Sequence, residues 1–155
     1  MTTDIDYIET EEDGLDSIKP LWEHFNEHHR MHSKYFAKKY QSFTFEDRKE
    51  MLMKKAGKGN IHVGIAVNLN TCRPIGFCIS SITRYMEGEV EYLFIEEEFR
   101  SQGIGENLLK KALTWLGNHG SAITKIAVEV GNEEVQPFYT KYGFVPRFII
   151  LEEAP

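Results

Sequence analysis

Between Ile5 and Glu9 apolar and polar residues alternate with the two-residue period of a strand, and Asp13-Gly14 breaks the pattern. From about Asp16 to Arg30 the period lengthens. Ile18, Leu21, Trp22 and Phe25 fall at helical spacing, and Pro20 sits near the first turn, where its missing N–H costs little. A polar, His-rich stretch through Tyr35 and Tyr40 follows without a period. Thr44 with Asp47 three residues later reads as a capping-box helix start, and a second helix is expected to about Lys55, ended by Gly57-Lys58-Gly59-Asn60.

The period then shortens. Ile61 to Val67 and Ile75 to Thr83 are rich in β-branched residues, with a turn at Asn68-Leu69-Asn70-Thr71 between them. A turn at Met86-Glu87-Gly88 leads into a third strand, Val90 to Ile95, so an antiparallel meander is expected. After a turn containing Gly103 and Gly105, Ile104, Leu108, Leu109, Ala112, Leu113 and Leu116 lie on one helical face, and Gly117-Asn118-His119-Gly120 stops the helix. Ile123 to Val130 reads as a strand, Asn132 to Tyr142 as a short helix, and Gly143 to Glu152 as a last strand. The order β-α-α-β-β-β-α-β-α-β predicts an α/β (α+β) fold: one domain over residues 1–155, with a mixed, mostly antiparallel sheet and helices on both faces.

Composition narrows the function. At 155 residues, 41% hydrophobic and 27% charged, the chain has the makings of one globular core. Its net charge of −6 and the lack of any Lys/Arg cluster argue against nucleic-acid binding and are compatible with a cationic substrate. Cys72 and Cys78 form no CxxC pair, so neither a zinc site nor a disulfide framework is indicated. Met1-Thr2-Thr3-Asp4 shows no leader pattern and no long apolar run follows. The expectation is a cytoplasmic protein without a membrane span.

The candidate chemistry lies between Tyr92 and Glu106. A strand ends, an acidic loop follows, and two glycines open an amphipathic helix. The first N–H groups of a helix lack internal partners and carry partial positive charge, so this turn is a candidate anion site. A P-loop would need Gly-x4-Gly-Lys-Ser/Thr, and a dinucleotide fingerprint would need a third glycine where Leu108 stands. A tight turn without a ligand is the alternative for this segment alone.

Two linked motifs go further. Arg100-x-x-Gly103-x-Gly105 and, downstream, Asn132-x5-Phe138-Tyr139-x3-Gly143-Phe144 resemble the signature pair of the GNAT acetyltransferases. The resemblance implies acetyl-CoA as co-substrate. Backbone groups of Leu93, Phe94 and Ile95 would pair with the pantetheine arm. The N–H groups of Ser101, Gln102, Gly103, Ile104, Gly105 and Glu106 would hold the pyrophosphate, with Arg100 adding positive charge. Asn132 would hydrogen-bond the pantetheine and Phe138 would pack on it. Many relatives have a proline in the loop before the Arg. Here Glu96-Glu97-Glu98 stands instead, read as a solvated loop.

In that superfamily an amine attacks the thioester directly. The resemblance makes Tyr139 the group that protonates the leaving thiolate and a strand carboxylate the base. Glu91 comes first, at the spacing of polyamine-type acetyltransferases, and Glu89 second. Period-2 geometry puts both on one strand face. The alternatives are solvent-facing glutamates and a core tyrosine. The loop between the first two helices helps line the acceptor pocket in such proteins, so His28, His29, His32 and Tyr35 are candidate substrate contacts. His24 and His28, at i and i+4, have metal-binding spacing, yet a solvated helix face explains them and no metal is expected. The reading is an N-acetyltransferase acting on a small primary amine, a diamine or polyamine included, with a homodimer by family habit. A non-catalytic acyl-CoA sensor and a protein or peptide N-acetyltransferase are the alternatives, with a His-rich metal-binding protein third.

Overall fold

The structure, a computed structural model, describes residues 3–155; Met1 and Thr2 of the N-terminal reading lie outside the described residues. Among the described residues five strands form one sheet in the order β1-β2-β3-β4-β5: β1 (Ile5–Thr10), β2 (Ile61–Asn68), β3 (Arg73–Ile82), β4 (Glu87–Ile95) and β5 (Ile123–Ile126). The first four are antiparallel neighbours, and β4 pairs with β5 in parallel. β2 is almost wholly buried, as expected of a strand covered on both faces.

One face carries α1 (Lys19–His32) and α3 (Phe45–Ala56). Trp22, Phe45 and Leu52 pack there on Ile65, Phe77, Tyr92 and Phe94. The other face carries α4 (Ile104–Asn118), whose Leu108, Leu109 and Ala112 pack on Ala66, Cys78 and Val90. The expected mixed fold with helices on both faces is therefore present. Pro20 stands at the start of α1, and the Thr44 hydroxyl accepts from the Asp47 N–H at 3.1 Å while Asp47 accepts from the Thr44 N–H at 3.0 Å. Asp thus serves in the capping box where Glu or Gln is usual.

Local periodicity misjudged three segments. The His-rich stretch holds a short helix, α2 (Ala37–Ser42), which buries no residue fully and so leaves no apolar signature. β5 stops at Ile126 instead of Val130. Residues 143–152 form no ladder, although α5 (Gln136–Thr140) lies in the expected helical segment before them. Pro146 removes a donor from that segment, and β5 offers only four residues to pair with. The Lys39 ammonium holds Glu152 at 2.7 Å, drawing the tail toward α2.

Candidate active site

The central feature is the point where β4 and β5 part. Ile79 pairs with Tyr92 and Ser80 with Val90, so Glu91 is the extra residue of a β-bulge. β5 accompanies β4 only from Glu87 to Val90. From Glu91 to Ile95 no strand among the described residues covers the outer edge of β4, which leaves its backbone groups open to an extended ligand. Leu93, Phe94 and Ile95 lie along that open edge. The loop beyond them is one 3-10 turn, Glu97–Phe99. Glu97 and Glu98 are exposed, as expected of a solvated loop, whereas Glu96 meets His24 of α1 at 2.7 Å.

Next comes the turn Arg100-Ser101-Gln102-Gly103. Ser101 has φ +64° and Gly103 φ +80°, a pair of left-handed residues that folds the chain back onto the start of α4. A Cβ on Gly103 would meet nothing within 4 Å, so its backbone angle is what calls for glycine. Gly103 is the N-cap of α4, and no side chain caps this end. The first-turn N–H groups of a 15-residue helix are thus left for an outside acceptor. Arg100 donates from Nε to the Ile95 carbonyl at 2.9 Å, and its guanidinium lies 5.6 Å from the centre of the Phe94 ring. Glu106 in the first turn is matched by Lys110 at 2.9 Å.

α5 closes over this turn. Phe138 Cζ stands 3.8 Å from the Cβ position of Gly105, and Phe138 and Tyr139 pack on the α4-side core. Burial first, and the neighbouring Cys78 second, raise the Tyr139 phenol above its ordinary range, so it stays protonated at neutral pH. Asn132 opens a 3-10 turn (Glu133–Val135), and its side chain makes no cap hydrogen bond. Gly131 beside it lies against the end of α1: a Cβ there would be 2.2 Å from the His32 carbonyl oxygen. The downstream motif therefore meets the His-rich helix, a junction that sequence spacing does not reveal.

The strand carboxylates are not solvent-facing. The Glu91 side chain is 6% exposed and that of Glu89 16%. They share a face, since Lys55 of α3 reaches Glu91 at 2.5 Å and Glu89 at 2.9 Å. Ser81 donates its hydroxyl to Glu91 at 2.6 Å, and Lys125 of β5 stands 3.7 Å from Glu89. Burial and then the charge of Glu89 raise the Glu91 carboxyl, while Lys55 and Ser81 pull it back. Glu91 meets α3 on one face of the sheet and Tyr139 meets the α4-side cluster on the other.

Of the acceptor candidates, His29 is buried against Phe25 (ring centres 4.2 Å apart) and Tyr40, and burial with the charges of His28 and His32 lowers it to about 4. His28 and His32 stack at 4.1 Å. Tyr35 is 60% exposed. Among the described residues no group of three His, Cys, Asp or Glu is placed to hold a metal ion. The sequence reading missed Lys55, Ser81 and Lys125, and also Arg48, whose guanidinium lies over Phe43 and Tyr92. Each acts across elements, and no local motif marks it.

The sequence profile of the Acetyltransferase (GNAT) family matches residues 15–144. The chain belongs to the GNAT family. An uncharacterised N-acetyltransferase from Methanocaldococcus jannaschii is 30% identical over 84 residues, which is 50% of this chain and 37% of that protein's length. Solved folds agree. A Pyrococcus furiosus protein described as an acetyl transferase superposes with TM-score 0.75 at 21% identity, covering 97% of this chain and all of the other. An aminoglycoside N-acetyltransferase in complex with CoA gives 0.68 at 16% identity, over 99% and 97%. The chain thus carries a GNAT domain, and it spans little more than a third of that curated relative's length. The family uses acetyl-CoA, and the open β4 edge and the uncapped α4 terminus beside Gly103 fit that ligand.

Proposed function

We propose that the protein transfers an acetyl group from acetyl-CoA to the primary amine of a small molecule. The observation that carries this is the parting of β4 from β5 at a bulged, buried glutamate, with the uncapped N-terminus of α4 following β4 along the chain. In this reading Leu93, Phe94 and Ile95 offer backbone groups to the pantetheine. The N–H groups from Ser101 to Glu106 hold the pyrophosphate with Arg100 nearby. Asn132 and Phe138 complete the wall.

Acetyl-CoA supplies an acyl carbon activated as a thioester. Glu91, its carboxyl raised by burial, takes the proton that the amine sheds on attack. Tyr139, held protonated, donates to the departing sulfur. Glu89 backs Glu91, and His28, His29 and His32 border the acceptor side. Lys55 and Lys125 already match the carboxylate pair, which favours an acceptor with one amine over a polyamine. The presence of both Glu91 and Tyr139 favours catalysis over a sensor role. Among the described residues no helix is long and apolar enough to cross a membrane, and Cys72 and Cys78 are free.

The test is thiol release from acetyl-CoA with a panel of amines, polyamines, amino acids and short peptides, beside Tyr139→Phe. Turnover with a small amine, reduced about 10²–10⁴-fold in the variant, is expected. Undiminished turnover in Tyr139→Phe removes Tyr139 from the mechanism, and turnover with peptides alone replaces the small-molecule reading.

A further inference from the structure

We infer that Lys55 is a positioning residue for the transfer reaction, its ammonium holding the bulged Glu91 carboxylate at the point where β4 and β5 part. The inference rests on Glu91 acting as the base.

A bulged residue has no cross-strand partner to orient it. Glu91 is nevertheless held at both ends of its reach, by Lys55 from α3 and by the Ser81 hydroxyl from β3. Lys55 is itself fixed by a rigid element. α3 begins in a closed capping box and buries Phe45 and Leu52 in the core. Lys55 stands in its last turn, where the helix dipole favours a cation. Its neighbour Lys54 makes the contrast: it pairs with Glu50 one turn back on the exposed face, while Lys55 turns inward, only 34% exposed.

The electrostatics give the ammonium a task. Glu89 and Glu91 are two largely buried carboxylates on one face, and burial with the neighbouring charge of Glu89 raises the Glu91 carboxyl. The groups facing them are Lys55 from α3, Lys125 from β5 and the Ser81 hydroxyl from β3. Among the described residues only Lys55 touches both carboxylates. Without it the Glu91 carboxyl loses the charge that pulls it back and rises further, so Glu91 is less often free to accept a proton from the amine.

The experiment is the pH profile of kcat/KM by thiol release for the wild type, Lys55→Met, Lys55→Arg and Glu91→Gln. Lys55→Met is expected to move the acidic limb up by about one pH unit or more, with the KM for acetyl-CoA unchanged. Lys55→Arg keeps the charge and restores the wild-type limb. Lys55→Gln, which keeps a donor and deletes the charge, gives the same displacement and serves should Lys55→Met not fold. An acidic limb at the wild-type position in the charge-deleted variants overturns the inference. Glu91→Gln separates the two readings. Wild-type turnover there means that Glu91 is not the base, whereas an impaired Glu91→Gln with an unshifted limb on charge deletion removes Lys55 alone.

Discussion

Replacing Gly131 with Ala tests whether the loop carrying Asn132 is seated on the end of α1. Two costs arise there. The backbone has φ +104°, where L residues are strained, and the new Cβ would lie 2.2 Å from the His32 carbonyl oxygen, inside the 3.0 Å that Cβ atoms keep. The obstructing atom is backbone, so it cannot swing aside as a side chain would. Gly103→Ala provides the comparison: its φ is +80°, but nothing lies within 4 Å of the added atom. The left-handed conformation alone costs about 1–2 kcal/mol. A chain of this size loses about 2–4 °C per kcal/mol, so Gly103→Ala should lower Tm by about 2–8 °C. Overpacking against fixed atoms costs about 1–3 kcal/mol more, which puts Gly131→Ala a further 2–12 °C lower, roughly. Thermal unfolding of the ligand-free proteins, followed by circular dichroism, reads both. His32→Ala gives no relief in the Gly131→Ala background, because the clash is with the main chain. Equal losses in the two glycine variants would refute the close seating of this loop on α1.

Titration and thiol chemistry supply two more outcomes. His29 falls from 6.5 to about 4 on folding, because burial and the neighbouring His28 and His32 disfavour its charge. The unfolded chain therefore binds a proton that the folded chain refuses between those values. Stability should fall as pH drops from 6.5 toward 4, by at most about 1.4 kcal/mol per pH unit from this group, and should be indifferent to it above 7. His29→Gln should flatten that part of a urea-unfolding pH series, and an unchanged slope would count against a neutral, buried His29. Cys78 is buried and its thiol pushed up to about 12, whereas Cys72 is exposed. A thiol-specific reagent should then titrate one cysteine in the native protein and both in denaturant, and rapid native labelling of Cys78 would contradict the packing of β3 under α4.

The sequence carries whatever depends on neighbours along the chain. The Thr44/Asp47 capping box, the apolar stripe of α4 and the alternation that puts Glu89 and Glu91 on one face all arise within a few residues, and each is realised. The signature around Arg100, Gly103 and Gly105 is of the same kind, since a turn and a helix start are local events. For this reason the GNAT resemblance and the mixed fold could be read from the chain alone.

Tertiary structure alone decided the rest. That Glu91 is a bulge follows from its register against Ile79 and Ser80, and the split of β4 from β5 follows from where β5 ends. Lys55 reaches Glu89 and Glu91 across 34 and 36 residues, and Gly131 meets His32 across almost a hundred. The 143–152 segment has the composition of a strand but finds no ladder, because a strand exists only when another backbone pairs with it. Local propensity fixes what a segment prefers; the burial of charges, the partners of a bulge and the meeting of distant loops depend on which surfaces the whole chain folds against one another.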